Sequence, residues 1–208
     1  MNNYYYTALV VFSLLLANLA HSAPSELALA KKNHEENCTR GFPEAVLNPT
    51  KVQKHQFKTL ASQGSIFGKE TATLTDGQHI TIQDQGCEWY SWEISLILNA
   101  PLLEANKKFC DKCLVQQLKQ YSSLFKTDNK PFYTESLKPL IKTVQQRHKL
   151  KVDHEYLVNS IYDMRHTTTL VALKKINPKQ YKVELLFSDG PLYNFSISFM
   201  LRKLGIVV

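Results

Sequence analysis

Cys110-Asp111-Lys112-Cys113 is the stretch whose residue types and spacing come nearest to chemistry. Two cysteines three positions apart have the spacing of a thiol–disulfide exchange motif, in which the first thiolate is stabilised at an exposed helix N-terminus. A helix is expected to begin close by, because Cys110, Leu114, Leu118, Tyr121 and Phe125 fall on one face at helical spacing. The βαβ context of thioredoxin-like proteins is missing. A structural staple at the first helical turn is therefore preferred, with redox exchange through Cys110 and Cys113 as the alternative.

The other two cysteines are Cys38 and Cys87. An even count favours disulfides over free thiols or zinc ligands in an oxidising compartment, the setting that the N-terminal apolar run Thr7 to Ala20 leads us to expect. Four cysteines allow three pairings; Cys110 and Cys113 are too near one another to ignore, which leaves Cys38–Cys87. Closing that loop of about 50 residues restricts the unfolded chain by about 4 kcal/mol, against about 2 kcal/mol for the short one. Zinc is disfavoured, since the chain has no second Cys-x-x-Cys and no histidine pair at finger spacing.

Few further residues invite a chemical role. His148, His154 and His166 gather near Asp153, Glu155 and Asp163, but their spacings do not share a helical face, so they read as surface histidines. Glu88 and Glu93 sit at odd spacing on a strand and point to opposite faces, so they cannot act as a paired acid and base. Trp89 lies on the polar face beside Glu88, which makes Glu88 and Trp89 the candidate contact residues. Phosphate loops, a nucleophile elbow and a His-Glu-x-x-His pair are all missing. No catalytic residue, metal or cofactor is expected.

The elements that position these residues follow from their periodicity. Gly86 to Leu98 contains both tryptophans and a clean alternation, with Tyr90, Trp92, Ile94, Leu96 and Leu98 on one face: a half-buried strand. Ala72 and Leu74, then Ile80 and Ile82, alternate about Thr75-Asp76-Gly77, a hairpin signal. Asp84-Gln85-Gly86 reads as the next turn, completing a meander. Val52 to Leu60 fits neither period and is left as an irregular or edge segment. The Cys110–Phe125 helix is expected to end at Thr127 to Pro131. A second helix is expected over Ser136–His148, capped by Thr134 or Ser136 with Pro139 in its first turn. A weaker third is expected over Asp153–Arg165. Strands are expected over Thr167–Lys174, Tyr181–Phe187 and Tyr193–Leu201. The block order predicts an α+β fold: an antiparallel β-sheet, meander then C-terminal strands, packed on one side by two to three helices.

Residues 1–22 stand apart. Thr7 to Ala20 is an apolar run without charge, followed by small residues suited to cleavage before Ala23, and is read as a signal peptide. The competing reading, an uncleaved membrane anchor, suits the short run less well. Residues 23–37, charged and Ala-rich, read as a mobile lead-in or frayed helix, and 38–208 as a single α+β domain. The chain carries a formal charge of +7 with scattered lysines. That balance suits solubility or an acidic partner, and no nucleic-acid motif accompanies it.

Cys38-Thr39-Arg40-Gly41-Phe42-Pro43, Gly86-Cys87-Glu88-Trp89-Tyr90 and Asp189-Gly190-Pro191-Leu192 together resemble small secreted bacterial proteins that have no assigned function. The resemblance supports the Cys38–Cys87 pairing and a bacterial envelope setting, and implies no activity. The expectation is an exported protein, periplasmic or extracellular, with no transmembrane span after signal cleavage. It would be a disulfide-bonded binding protein of the inhibitor or immunity kind, with a protein partner or an acidic envelope component.

Overall fold

The computed structural model describes residues 25–88, 91–146, 150–159 and 168–188, with side chains outside 155–171. The expected signal peptide and the expected strand over Tyr193–Leu201 lie outside these residues.

Alternation dictates the sheet. β1 (Gln53–Ser62), β2 (Ser65–Thr73), β3 (His79–Gln85) and β4 (Ser91–Asn99) form a four-stranded antiparallel meander. After the helices, β7 (His154–Asn159), β8 (Thr168–Asn177) and β9 (Gln180–Ser188) complete a seven-stranded antiparallel sheet in the order β1-β2-β3-β4-β9-β8-β7. β4 is central, between β3 and β9, as its tryptophan-led apolar face requires. Trp92, Ile94 and Leu96 stand opposite Asp84, Ile82 and Ile80 on one side and Phe187, Leu185 and Val183 on the other.

The turns are set by backbone sterics. Gly77 (φ 80°) takes the left-handed position of the Asp76-Gly77 turn. Gln63 (φ 52°) and Gly64 (φ 75°) turn β1 into β2, both with the positive φ that a two-residue hairpin favours. Val52 to Leu60, expected as an irregular or edge segment, falls from Gln53 onward on β1, which is an edge strand of the sheet.

Among the described residues four α-helices accompany the sheet. α1 (Glu26–Asn37) is capped by Ser25, whose Oγ accepts the Ala28 N–H, and lies against β1 and β2. The segment read as a lead-in or frayed helix is therefore a twelve-residue helix, tied to the hairpin tip by Glu26 to the Gln63 N–H and Asn33 to the Gly64 carbonyl. α2 (Ala100–Leu103) is a single turn, followed by a two-stranded ribbon of β5 (Glu104–Ala105) and β6 (Lys108–Phe109). α3 (Asp111–Tyr121) and α4 (Lys130–Gln145) bury Leu114, Leu118, Tyr133, Leu137 and Leu140 against the face carrying Trp92. Trp92 stacks on Phe125 and meets Phe132 edge-on, while Tyr133 meets Phe187. The antiparallel sheet with helices packed on it is the expected α+β architecture.

Two helix expectations are corrected. α4 begins six residues before Ser136, at Lys130, because Pro131 starts a helix instead of ending one: it occupies the first turn, where no N–H is needed. Asn129 is the N-cap in place of Thr134 or Ser136, and Pro139 consequently lies inside the helix. The third helix is absent over its first half: His154–Asn159 is the strand β7, paired from His154↔Leu173 to Asn159↔Thr168. Long-range pairing to β8 outweighs a weak local spacing there. The remainder of that expected helix, beyond Asn159, lies outside the described residues.

Candidate functional site

The head of α3 is built by the short ribbon before it. Asn106 (φ 53°) and Lys107 (φ 62°) turn β5 back into β6, and Glu104 fixes the ribbon to the sheet. Its Oε1 accepts the Lys175 ammonium at 2.8 Å and the Tyr181 hydroxyl at 2.7 Å, and these partners, Lys175 foremost, hold the Glu104 carboxyl below its ordinary range. The Phe109 ring leans on Tyr181. Cys110 then donates its N–H to the Leu103 carbonyl at 2.8 Å and becomes the N-cap of α3.

Cys110 and Cys113 form a disulfide, and Cys110 Sγ accepts the Cys113 backbone N–H at 3.1 Å. Both residues are part-exposed. A sulfur that caps a helix faces its unsatisfied N–H groups and the positive end of its dipole, an environment that favours thiolate. Cys38 pairs with Cys87, so all four cysteines are bonded as expected.

Between α3 and α4, from Lys112 onward along α3, runs an open groove of about 540 Å³. Val115, Ile141 and Val144 form its apolar floor, and Lys112 and Lys119 stand on its rim among glutamines. None of the lining residues is acidic. The volume lies in the range of ligand pockets, about 300–1,000 Å³, and the position between two helices is one where such pockets form.

A second cluster lies inside the sheet's edge. Glu70 on β2 and Asp84 on β3 are buried among the apolar residues of the helix-covered face. Glu70 Oε2 accepts the Val46 N–H at 2.8 Å, and Oε1 accepts the Leu47 N–H at 3.1 Å and His55 Nε2 at 2.5 Å. The segment from Cys38 to Leu47 thereby crosses the sheet end as a strap. The disulfide to Cys87 holds one end, and a Leu47–Phe125 bridge with Asn48 N–H to the Leu124 carbonyl holds the other. Arg40 donates Nε to the Glu88 carbonyl, and His34 Nε2 donates to the carbonyls of Arg40 and Gly41. Burial pushes the Asp84 carboxyl up to about 6. The Trp92 indole opposes that rise although its N–H makes no hydrogen bond of standard length, and the Glu44 N–H opposes it too; Glu70 adds to it. With every Glu70 contact directed to the strap or to β1, this cluster is an anchor.

Glu88 is exposed, with its carbonyl engaged by Arg40, while its companion Trp89 lies outside the described residues. Glu93 faces Gln83 and Leu186 across the sheet. His154 is exposed at the start of β7, not on a helix; His148 and His166 lie outside the described residues. Among the described residues no group of three or more His, Cys, Asp and Glu is placed to hold a metal ion, and no helix is long and apolar enough to cross a membrane.

Sequence reasoning missed Glu70, Asp84 and the groove. Glu70 is in phase with Ala72 and Leu74, and Asp84 with Ile80 and Ile82, so both sit at core positions of their alternations. That phase is the available signal; in place of the expected turn at Asp84-Gln85-Gly86, Asp84 and Gln85 belong to β3. Comparison with known proteins finds no matching family model, no similar curated protein and no matching solved structure.

Proposed function

We propose that this chain is an exported, disulfide-bonded binding protein of the inhibitor or immunity kind, which takes an acidic amphipathic segment of a protein partner along the α3–α4 groove. The observation that carries it is the groove itself, with the apolar floor of Val115, Ile141 and Val144 beneath the ammonium groups of Lys112 and Lys119. An amphipathic helix laid into such a groove buries its apolar stripe on the floor and sets its carboxylates against the lysines. Charge gives steering and register, and the floor gives affinity. The formal charge of +7 adds attraction at longer range. Two disulfides fit an oxidising compartment, and the apolar run before Ala23 fits export.

Affinity capture from envelope extract tests the reading, using the wild type beside a Lys112→Glu/Lys119→Glu variant. The wild type should retain a discrete protein in near-stoichiometric amount, and the variant at least tenfold less. Equal retention by both proteins would remove the groove from the account. Retention on anionic vesicles with no protein captured would assign the basic face to a lipid surface instead.

A further inference from the structure

We propose that the Cys110–Cys113 disulfide is an exchangeable oxidant of protein dithiols, with Cys113 as the sulfur attacked and Cys110 as the leaving thiolate. The activity goes beyond the binding function; only the notion that a groove-held segment supplies the dithiol rests on that reading.

Three observations carry it. First, Cys110 is the N-cap of an eleven-residue helix and its Sγ already accepts the Cys113 N–H at 3.1 Å. Those N–H dipoles stabilise negative charge on that sulfur, and a thiol of lowered pKa leaves faster in exchange. Second, both cysteines are part-exposed, and Cys113 lies on the strip that carries Gln116 and Gln120, three and seven residues further on, which line the groove. A segment held in the groove therefore passes within one helical turn of Cys113 along α3. Third, the disulfide is a poor staple for this place. It joins residues three apart, so the loop it closes is short and removes little entropy from the unfolded chain. The turn it closes is already spanned by the Leu114 N–H donating to the Cys110 carbonyl.

The exchange balances without a further reagent. One substrate thiolate attacks Cys113 Sγ; the substrate–Cys113 bond forms, the Cys113–Cys110 bond breaks, and Cys110 departs as thiolate. The second substrate thiolate attacks its own partner sulfur in the mixed disulfide, forming the substrate disulfide and releasing the Cys113 thiolate. The substrate loses two electrons and two protons, and Cys110 and Cys113 gain them as a dithiol.

Two measurements on the mature full chain test this. In the first, the wild type is equilibrated with glutathione mixtures of graded ratio, acid-quenched and alkylated, and the cysteine-bearing peptides are weighed. The Cys110–Cys113 pair should open across ordinary glutathione ratios while Cys38–Cys87 stays closed, because structural disulfides resist that buffer. A pair that stays closed throughout, or opens only together with Cys38–Cys87, overturns the proposal. The second compares alkylation rates against pH in Cys113→Ala and Cys110→Ala. The Cys110 thiol should react with a midpoint at least one pH unit below the ordinary thiol value of about 8.5, and the Cys113 thiol with a higher one. A Cys110 midpoint at or above the ordinary value, or the reverse order, overturns the assignment of leaving group. Glutathione needs no groove, so a failed groove reading leaves this result interpretable.

Discussion

Glu70 reaches from β2 to the backbone of Val46, taking its N–H on Oε2 at 2.8 Å from a fully buried position. With Leu47 and His55 on the other oxygen, one carboxylate anchors a strap to the sheet across 24 residues of chain. A buried carboxylate costs several kcal/mol to desolvate and is retained only where hydrogen bonds compensate it. Here they do, and the strap in turn bridges from Leu47 to Phe125, the ring on which Trp92 stacks.

Glu70→Ala leaves two buried backbone N–H groups and His55 without their acceptor. It should cost about 3–5 kcal/mol, seen as a lowered urea midpoint with an unchanged slope. Glu70→Gln keeps one acceptor oxygen and should cost less. A loss below about 0.5 kcal/mol for the alanine variant would mean that the strap holds without Glu70.

Asp84 should make stability fall as pH rises. Its folded pKa, about 6, lies above the ordinary carboxyl value of 3.8, so the folded chain holds the proton more tightly than the unfolded one. The stabilisation is complete below about pH 4 and is lost as pH rises through about 6, to a limit of about 3 kcal/mol. Asp84→Asn removes that slope. Measured by urea unfolding, the Asn variant should gain on the wild type by about 2–3 kcal/mol between pH 4 and pH 8. A change of the opposite sign would contradict the assignment.

Gly68 is confined by its neighbours: a Cβ there would stand 2.8 Å from Phe57 Cε2 and 3.0 Å from Pro43 Cβ. Gly68→Ala must push the strap or the Phe57 ring outward and should cost about 1–3 kcal/mol. Calorimetric melting would show it, and an unchanged melting temperature would mean that Phe57 swings clear at no cost.

The two disulfides should differ in worth. Cys38→Ser/Cys87→Ser reopens a separation of 49 residues and frees the strap, costing about 4 kcal/mol. Cys110→Ser/Cys113→Ser opens a separation of 3 and should cost about 2 kcal/mol or less. Paired urea curves of the oxidised proteins decide the order, and a reversed order would make Cys110–Cys113 the principal staple.

Much of this architecture was legible because local signals and long-range pairing agree. Trp92 to Leu98 alternates strictly and becomes the central strand; Asp76-Gly77 turns where its steric freedom requires; Leu114, Leu118 and Tyr121 face the sheet at helical spacing. The rest depends on partners that a window of sequence does not contain. Pro131 can end one helix or begin another, and only the packing of Phe132 and Tyr133 on Trp92 and Phe187 decides between them. Tyr156, Leu157 and Val158 suit a strand or a weak helix until Thr169 to Val171 supply the ladder. The groove arises between Val115 on one helix and Ile141 on another, a neighbourhood visible only after both have docked.

The groove carries the functional account, and photocrosslinking at its rim tests it most directly. A benzophenone side chain is placed at Gln116, and in a control protein at Lys58 on β1, and each is irradiated in envelope extract. One discrete adduct is expected from Gln116, lost when Lys112→Glu and Lys119→Glu are added, and none from Lys58. Equal adducts at both positions, or a Gln116 adduct indifferent to the two charge reversals, would contradict it.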